Sequence, residues 1–375
     1  MAQISASAGG HSPAARAVAA HGLVGTTLNL PEAPLTDVEF TRLHAATRSQ
    51  RMTGLFWAAI TSGAFPVTSS QRDRAEESHL QSLAAALVLE HLVVNTVGVL
   101  EKAAIPVRTL KGVALAHLDY PDPGLRTFGD IDLLVPGDQF DDAVTVITET
   151  GAARRYPQPR PGFDRRFSKG TCLCTPDGLE IDLHRTFTMG PFGARLALHE
   201  LWARCDEFDL AGVTVQALSV EERLLHAAYH AALGDERPRL VPLRDVAQIL
   251  LTHDVDMSRL HWLMRASQGE AVVARAVRWA WQELQIADVL GASAWAETYR
   301  EDQRTLSDLA VYGLGSSYAA RSWATVKAIP TLSQRLKFVY AMTMPQRSYL
   351  GTRHRSQRDR LRQGIGEIRS LRSQR

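Results

Sequence analysis

Cysteine is scarce in this chain: Cys172, Cys174 and Cys205 are the only three in 375 residues. They are too few and too irregularly spaced for a disulfide framework, and they lack the CxxC pairs of a zinc site. They read as buried small residues, and a reducing compartment fits them. A secretory leader is also missing, since the opening MAQISASAGGHSPAARAVAAHG has no continuous apolar stretch. The most apolar run, LAAALVLEHLVVNTVGVL (83–100), carries Glu90, His91 and Asn95, which hydrocarbon would penalise. The expectation is a buried helix in a cytoplasmic protein that has no membrane partner. Two motifs fail in instructive ways. GxxxxGK[ST] does not occur, which excludes a P-loop, and Ala227 stands where HExxH would place glutamate between His226 and His230. A zinc protease is thereby excluded, and the two histidines are assigned to the core or a substrate pocket. Charge bias is slight too, with a net +2.

What is present is an ordinary globular composition, 45% apolar and 22% charged, in a chain long enough for a core with helical additions. Charge is unevenly spread. Residues 346–375 hold nine arginines against Asp359 and Glu367, a local +7 on a body of −5. Such a tail suits RNA or an acidic partner, or simply a solubilising terminus. Residues 1–35 read as flexible. Residues 36–104 read as helical, with Thr36-Asp37 and the Ser69-Ser70 pair as candidate caps. A small mixed sheet with helices is expected over 105–218. IPVRTL and IDLLVP are strands, 112–118 and 136–152 are helices, 168–187 is a hairpin turning at Pro176-Asp177-Gly178, and GVTVQAL is a last strand. From Ser219, which opens a capping box with Glu222, residues 219–345 read as helical. Arg244-Asp245 is placed as a helix-start cap and surface pair, and Trp262, Trp279 and Trp281 as packing residues.

The segment GDIDLLV (129–135) carries the chemistry. Strand side chains alternate, so Ile131, Leu133 and Val135 share one face while Asp130, Asp132 and Leu134 share the other. Two like charges so close call for a cation between them, and a divalent metal ion is the expected answer. In LEIDLH, Glu180, Asp182 and His184 again oppose an apolar face, so Asp182 joins Asp130 and Asp132 if the two strands are neighbours. Hard oxygen ligands of this kind suit Mg²⁺, and a pair of such ions serves nucleotidyl transfer. Upstream, Lys111-Gly112 marks a strand-to-helix turn. There glycine lets backbone N–H groups approach a phosphate and lysine adds a point charge.

LKGVALAHLDYPDPGLRTFGDIDLLV, LEIDLH and the LSxxExLLHxxxHA segment (218–231) together resemble the DNA polymerase beta-like nucleotidyltransferase superfamily, and within it a bacterial family of uncharacterised nucleotidyltransferases. The resemblance spans roughly residues 75–255. It implies an α/β (α+β) fold with a mixed-sheet palm flanked by helical regions, metal ligands at Asp130 and Asp132, and a third carboxylate at Asp182, with Glu180 as the runner-up. Lys111, Gly112, Arg126 and Gly129 form the expected nucleotide-binding set. Arg126 has a second reading, holding the Pro-Gly loop to Asp130. One departure stands out, because Gly112 is followed by Val113 where the superfamily has Gly or Ser. The implied reaction moves an NMP from an NTP, ATP favoured, to an unidentified acceptor with release of pyrophosphate. The implied cofactor is a two-metal Mg²⁺ site, with Mn²⁺ as the other candidate. The alternative is a nucleotide-binding or partner-binding module on the same fold without turnover.

Overall fold

The computed structural model describes residues 10–287, 290–313 and 318–349. Residues 1–9, and 350–375 of the Arg-rich tail, lie outside the described residues. The flexible reading of 1–35 needs correction from residue 12 onward. Ser12 caps a helix, Pro13–Ala20, whose proline sits at the tolerated first turn and whose Val18 and Ala19 are fully buried. Thr36 caps the helix Asp37–Ser49 as expected, and Glu39 returns the bond to the Thr36 N–H. At the next long helix, Ser69–Lys102, the cap is Thr68 paired with Gln71, one residue before the expected serines.

That helix contains the apolar run 83–100, and it corrects the expectation of a buried element. Leu89, Val93, Val97 and Leu100 are buried, while Leu80, Leu87 and Val88 are exposed. By length and composition it is, among the described residues, the one helix that could cross a membrane. Its inner side is pinned to the sheet layer, where Glu90 meets His117 at 2.8 Å.

Seven strands form one mixed sheet: β1 Arg108–Leu110, β2 Ile131–Leu134, β3 Ala153–Arg154, β4 Gly170–Cys174, β5 Glu180–His184, β6 Asp206–Leu210 and β7 Val213–Ala217. Their spatial order is β3-β4-β5-β2-β1-β7-β6, with β2 parallel to β5 and β1 parallel to β7. Strands β3 and β6 were not expected. Asp206–Leu210 carries three acidic residues, and its strand character comes from pairing with β7 rather than from its own apolar pattern. The expected alternation holds on the central strands. Ile131, Leu133, Ile181 and Leu183 pack on Val93, Val97 and Phe140, each burial contributing about 2 kcal/mol. On the opposite face, Leu134 joins a second core that includes Phe187, Leu224, Leu225 and Ala228, together with Val18, Phe40 and Leu55 from the N-terminal helices. The N-terminal helices and the helical half thus share one core that roofs the carboxylate-bearing face.

In that roof, Ser219 does not complete a capping box before the helix Val220–Leu233, because its hydroxyl donates to the Glu222 carboxylate, which Arg259 also holds. Trp262 is exposed beneath the Arg259 guanidinium, so it is not a core residue, whereas Trp281 packs inside. The expected surface pair Arg244-Asp245 is instead fully buried, and its members face apart. Arg244 donates to the Ala19 and His21 carbonyls at 2.6 and 2.7 Å. Asp245 accepts Arg126 Nε and Nη2 at 2.8 and 2.9 Å and the Tyr120 hydroxyl at 2.8 Å. Burial works against the Arg126 charge, but Asp245 outweighs it and raises the guanidinium further.

Arg126 therefore locks the loop before β2 to the helix Leu240–Thr252. Removing one partner of a buried pair costs about 3–5 kcal/mol. Arg126→Met should lose roughly that much in urea unfolding. An unchanged midpoint together with weaker nucleotide binding would assign Arg126 to phosphate instead.

Candidate active site

The parallel pairing of β2 with β5 sets Asp132 directly opposite Asp182. Both side chains rise from the roofed face, and His184, two residues along β5, rises beside them. Donor atoms of Asp132, Asp182 and His184 all lie within 4.8 Å of one another, close enough to hold one metal ion. Asp130 stands just before β2, partly exposed at the cleft, while Asp132 is 5% exposed.

Each carboxylate has a cation of the chain beside it. Lys111 Nζ donates to Asp132 Oδ1 at 2.6 Å, and His184 Nε2 lies 2.7 Å from the same oxygen. Arg51 Nη1 donates to Asp130 Oδ1 at 2.9 Å, and Lys169 Nζ lies 3.7 Å from Asp182 Oδ2. Burial alone would raise the Asp132 carboxyl, but Lys111 and then His184 overcome it and hold the group well below the usual carboxylate range. Lys111 shows the reciprocal balance: burial lowers it, and Asp132 raises it above its ordinary value. Burial pushes Lys169 down, and the neighbouring Lys111 charge adds to that. His184 is likewise pushed down by burial, and its Nδ1 is enclosed without a hydrogen-bond partner.

Lys111 reaches this position through an unusual backbone. It has φ +39°, a left-handed conformation that costs a side-chain-bearing residue on the order of 1–3 kcal/mol and tends to occur at functional sites. Gly112 follows because nothing larger fits. A Cβ there would lie 2.7 Å from Phe128 Cβ. Gly129 lies under the Arg51 guanidinium, where a Cβ would be 3.1 Å from Nη2. Lys111, Gly112, Asp130 and Asp132 line one cleft, and Arg51 and Arg239 line it with them. Arg126 reaches the same cleft, but Asp245 and the Thr127 carbonyl occupy its donors. Glu180, two residues before Asp182 on the same face of β5, is ion-paired with Arg155.

Sequence reasoning missed Arg51, Lys169 and Arg239 as members of this site, and it set His184 on the face of Asp182 without its bond to Asp132. The same-face spacing of Asp182 and His184 was a usable signal for the histidine. Arg51 is 79 residues from Asp130 and stands in no motif, so only folding brings them together. The cysteines also depart from expectation. All three are half-buried free thiols, and Cys172 and Cys174 gather with Glu180. Burial, followed by Asp182 and Glu180, pushes the Cys172 thiol up to about 12, which keeps it protonated and a poor ligand for a soft metal.

Three solved structures share partial likeness. The solution structure of the antibiotic-resistance factor ANT(2'')-Ia is 14% identical, covering 50% of this chain and 94% of its own, with a TM-score of 0.34. The crystal structure of ANT(2'')-Ia with adenylyl-2''-tobramycin is 16% identical, covering 48% and 96%, with a TM-score of 0.34. An antigenic nucleotidyltransferase-like protein from Paracoccidioides brasiliensis is 15% identical, covering 55% and 94%, with a TM-score of 0.32. No curated protein matches the chain. The family model described as "Uncharacterised nucleotidyltransferase" matches residues 36–284, two thirds of the chain and every element that builds the carboxylate cluster. The chain belongs to that uncharacterised nucleotidyltransferase family, and it is a nucleotidyltransferase.

Proposed function

We propose that this protein is a Mg²⁺-dependent nucleotidyltransferase that passes an NMP, with ATP as the favoured donor, to an acceptor hydroxyl or phosphate and releases pyrophosphate. The observation that carries the reading is the juxtaposition of Asp130, Asp132 and Asp182, each with a cation of the chain against it. Two carboxylates facing each other across adjacent strands, with a third at the cleft, form a hard-oxygen donor set of the kind Mg²⁺ and Mn²⁺ take. The lysine ammonium on Asp132 shows that the pocket favours positive charge. When bound, divalent ions would supply charge neutralisation at the reacting phosphate.

The chain's own groups account for the rest. Asp130 and Asp132 would hold the metals. Asp182 would orient the acceptor O–H and take its proton as the new P–O bond forms at the α-phosphorus and the bond to pyrophosphate breaks. Lys111, presented by its left-handed turn, and the N–H groups at the Gly112 helix start would hold the departing phosphates, with Gly129 allowing close approach. Arg51 and Arg239 would take the role of the hydroxyl missing at Val113, since both line the cleft and guanidinium groups grip phosphate oxygens in pairs. We place the enzyme in the cytoplasm and assign contact with RNA or an acidic partner to residues 346–375. Deleting 350–375 should then reduce the steepness with which RNA binding falls as salt rises, and an unchanged slope would remove the tail from the reading.

Asp130→Asn and Asp132→Asn test the core of the proposal. Wild type should show a Mg²⁺-dependent thermal shift with one of ATP, GTP, CTP and UTP, and both variants should lose it. Turnover should fall by about 10³. Retained nucleotide binding in a wild type without turnover would favour the binding-module alternative.

A second variant separates charge pairing from catalysis. Arg51→Gln should raise the KM for the nucleotide about tenfold, the equivalent of ~1.4 kcal/mol. Because it also frees Asp130, it should tighten Mg²⁺ binding in the absence of nucleotide. Metal affinity that stayed constant would show that Arg51 does not compete for Asp130.

A further inference from the structure

The basic, proline-broken connection 154–167 has no part in the site above, yet it borders a second cavity. Between the end of β5 and the helices Tyr318–Ala328 and Leu332–Thr343 lies a pocket of about 80 Å³ lined by Arg166, Arg185, Thr188, Gly190, Thr325 and Gln334, among others. This volume suits a few water molecules or one tetrahedral oxyanion, and it is too small for a nucleoside.

Arg185 is the notable feature of this wall. Its Nε is buried and has no hydrogen-bond partner, and among the described residues no ion pair reaches its guanidinium. Neighbouring arginines are engaged: Arg154 with Asp164 at 2.6 Å, Arg165 with Asp141 at 3.5 Å, and Arg166 with the Gly162 carbonyl at 3.2 Å. Arg154 and Arg165 thus take up the Asp164 and Asp141 carboxylates, and among the described residues no carboxylate is ion-paired with Arg166 or Arg185. Arg185 is half-buried, and a guanidinium whose Nε lies unpaired against a cavity favours an anion there, which it can grip through paired N–H donors. Exposed Gln334 also lines the wall, while the Thr188 and Thr325 hydroxyls donate to the Met189 and Arg321 carbonyls at 3.3 and 2.7 Å.

We infer that this cavity is a binding site for a phosphate-type oxyanion, held by Arg185 with Arg166, Thr188 and Gln334 and separate from the nucleotide cleft. The shared chemistry has two sources: free inorganic phosphate, or the phosphate of a small phosphorylated molecule acting as effector or acceptor. The pocket joins the strand that carries Asp182 and His184 to the C-terminal helices. Occupancy would therefore brace the catalytic strand against that part of the roof, and the inference does not depend on which nucleotide the other site takes.

The test uses the full chain without nucleotide. Inorganic phosphate, sulfate, acetate and chloride are compared at matched ionic strength by thermal shift and isothermal titration, on wild type and on Arg185→Met. Phosphate should raise the wild-type Tm by a few degrees, and Arg185→Met should weaken its binding roughly tenfold or more. Equal phosphate responses in both proteins, or a response to acetate as large as that to phosphate, would overturn the assignment. If Arg185→Met does not fold, Gln334→Ala at the rim carries the same comparison. Tighter binding of a phosphate monoester than of inorganic phosphate would identify an organic carrier, and equal or weaker binding would identify the free ion. Either result upholds the site.

Discussion

Two carboxylates side by side on a roofed sheet face, with a third at the cleft just before it, crowd negative charge that positive groups must offset. That constraint organises the centre of this molecule. Asp132 has Lys111 and His184 against it, Asp130 has Arg51, and Asp182 has Lys169. The cations come from three separate parts of the chain, and each is delivered by a different structural device. Lys111 arrives through a left-handed residue at a strand end, Arg51 through the joint between two N-terminal helices, and Lys169 through the residue preceding β4. A site that a metal and a triphosphate are proposed to fill is thus offset by side chains of the protein itself.

The same economy of buried charge holds the layers together. Arg126 on Asp245, and Arg223 on Asp119 and Asp206, tie palm loops to helices of the roof, while Arg244 donates to backbone carbonyls of the N-terminal helix. Such contacts contribute little net stability compared with apolar packing, but they are costly to break singly. They connect the roof to the sheet layer, and Lys111 and Arg239 line the same cleft. Arg185 differs from these arginines in having no such partner, and this sets its pocket apart from the structural pairs.

Much of the palm was legible because strand alternation is a local property. GDIDLLV and LEIDLH show one apolar and one polar face on inspection, and Pro176-Asp177-Gly178 turns the hairpin with Gly178 at φ +82°. The adjacency of Asp132 and Asp182 was conditional on β2 and β5 being neighbours, and the parallel register makes them so. Less legible were elements whose structure depends on a partner. Asp206–Leu210 is a strand because β7 supplies its hydrogen bonds, and Pro13–Ala20 is ordered because other helices cover it. The run 83–100 reads as buried from hydropathy, yet one side of a long helix can be exposed whenever only the other side meets the sheet.

By itself the sequence determined the alternation of the two aspartate-bearing strands, the strand-to-helix turn at Lys111-Gly112, the Thr36 helix cap and the family. These depend on backbone geometry and side-chain chemistry within a few residues. Tertiary structure alone decided which cation faces which carboxylate, that Arg126 is paired with Asp245, and that the Arg185 Nε lies unpaired beside a cavity. Ion pairing follows distance in space, burial sets its strength, and both arise only when segments tens to more than a hundred residues apart are packed together.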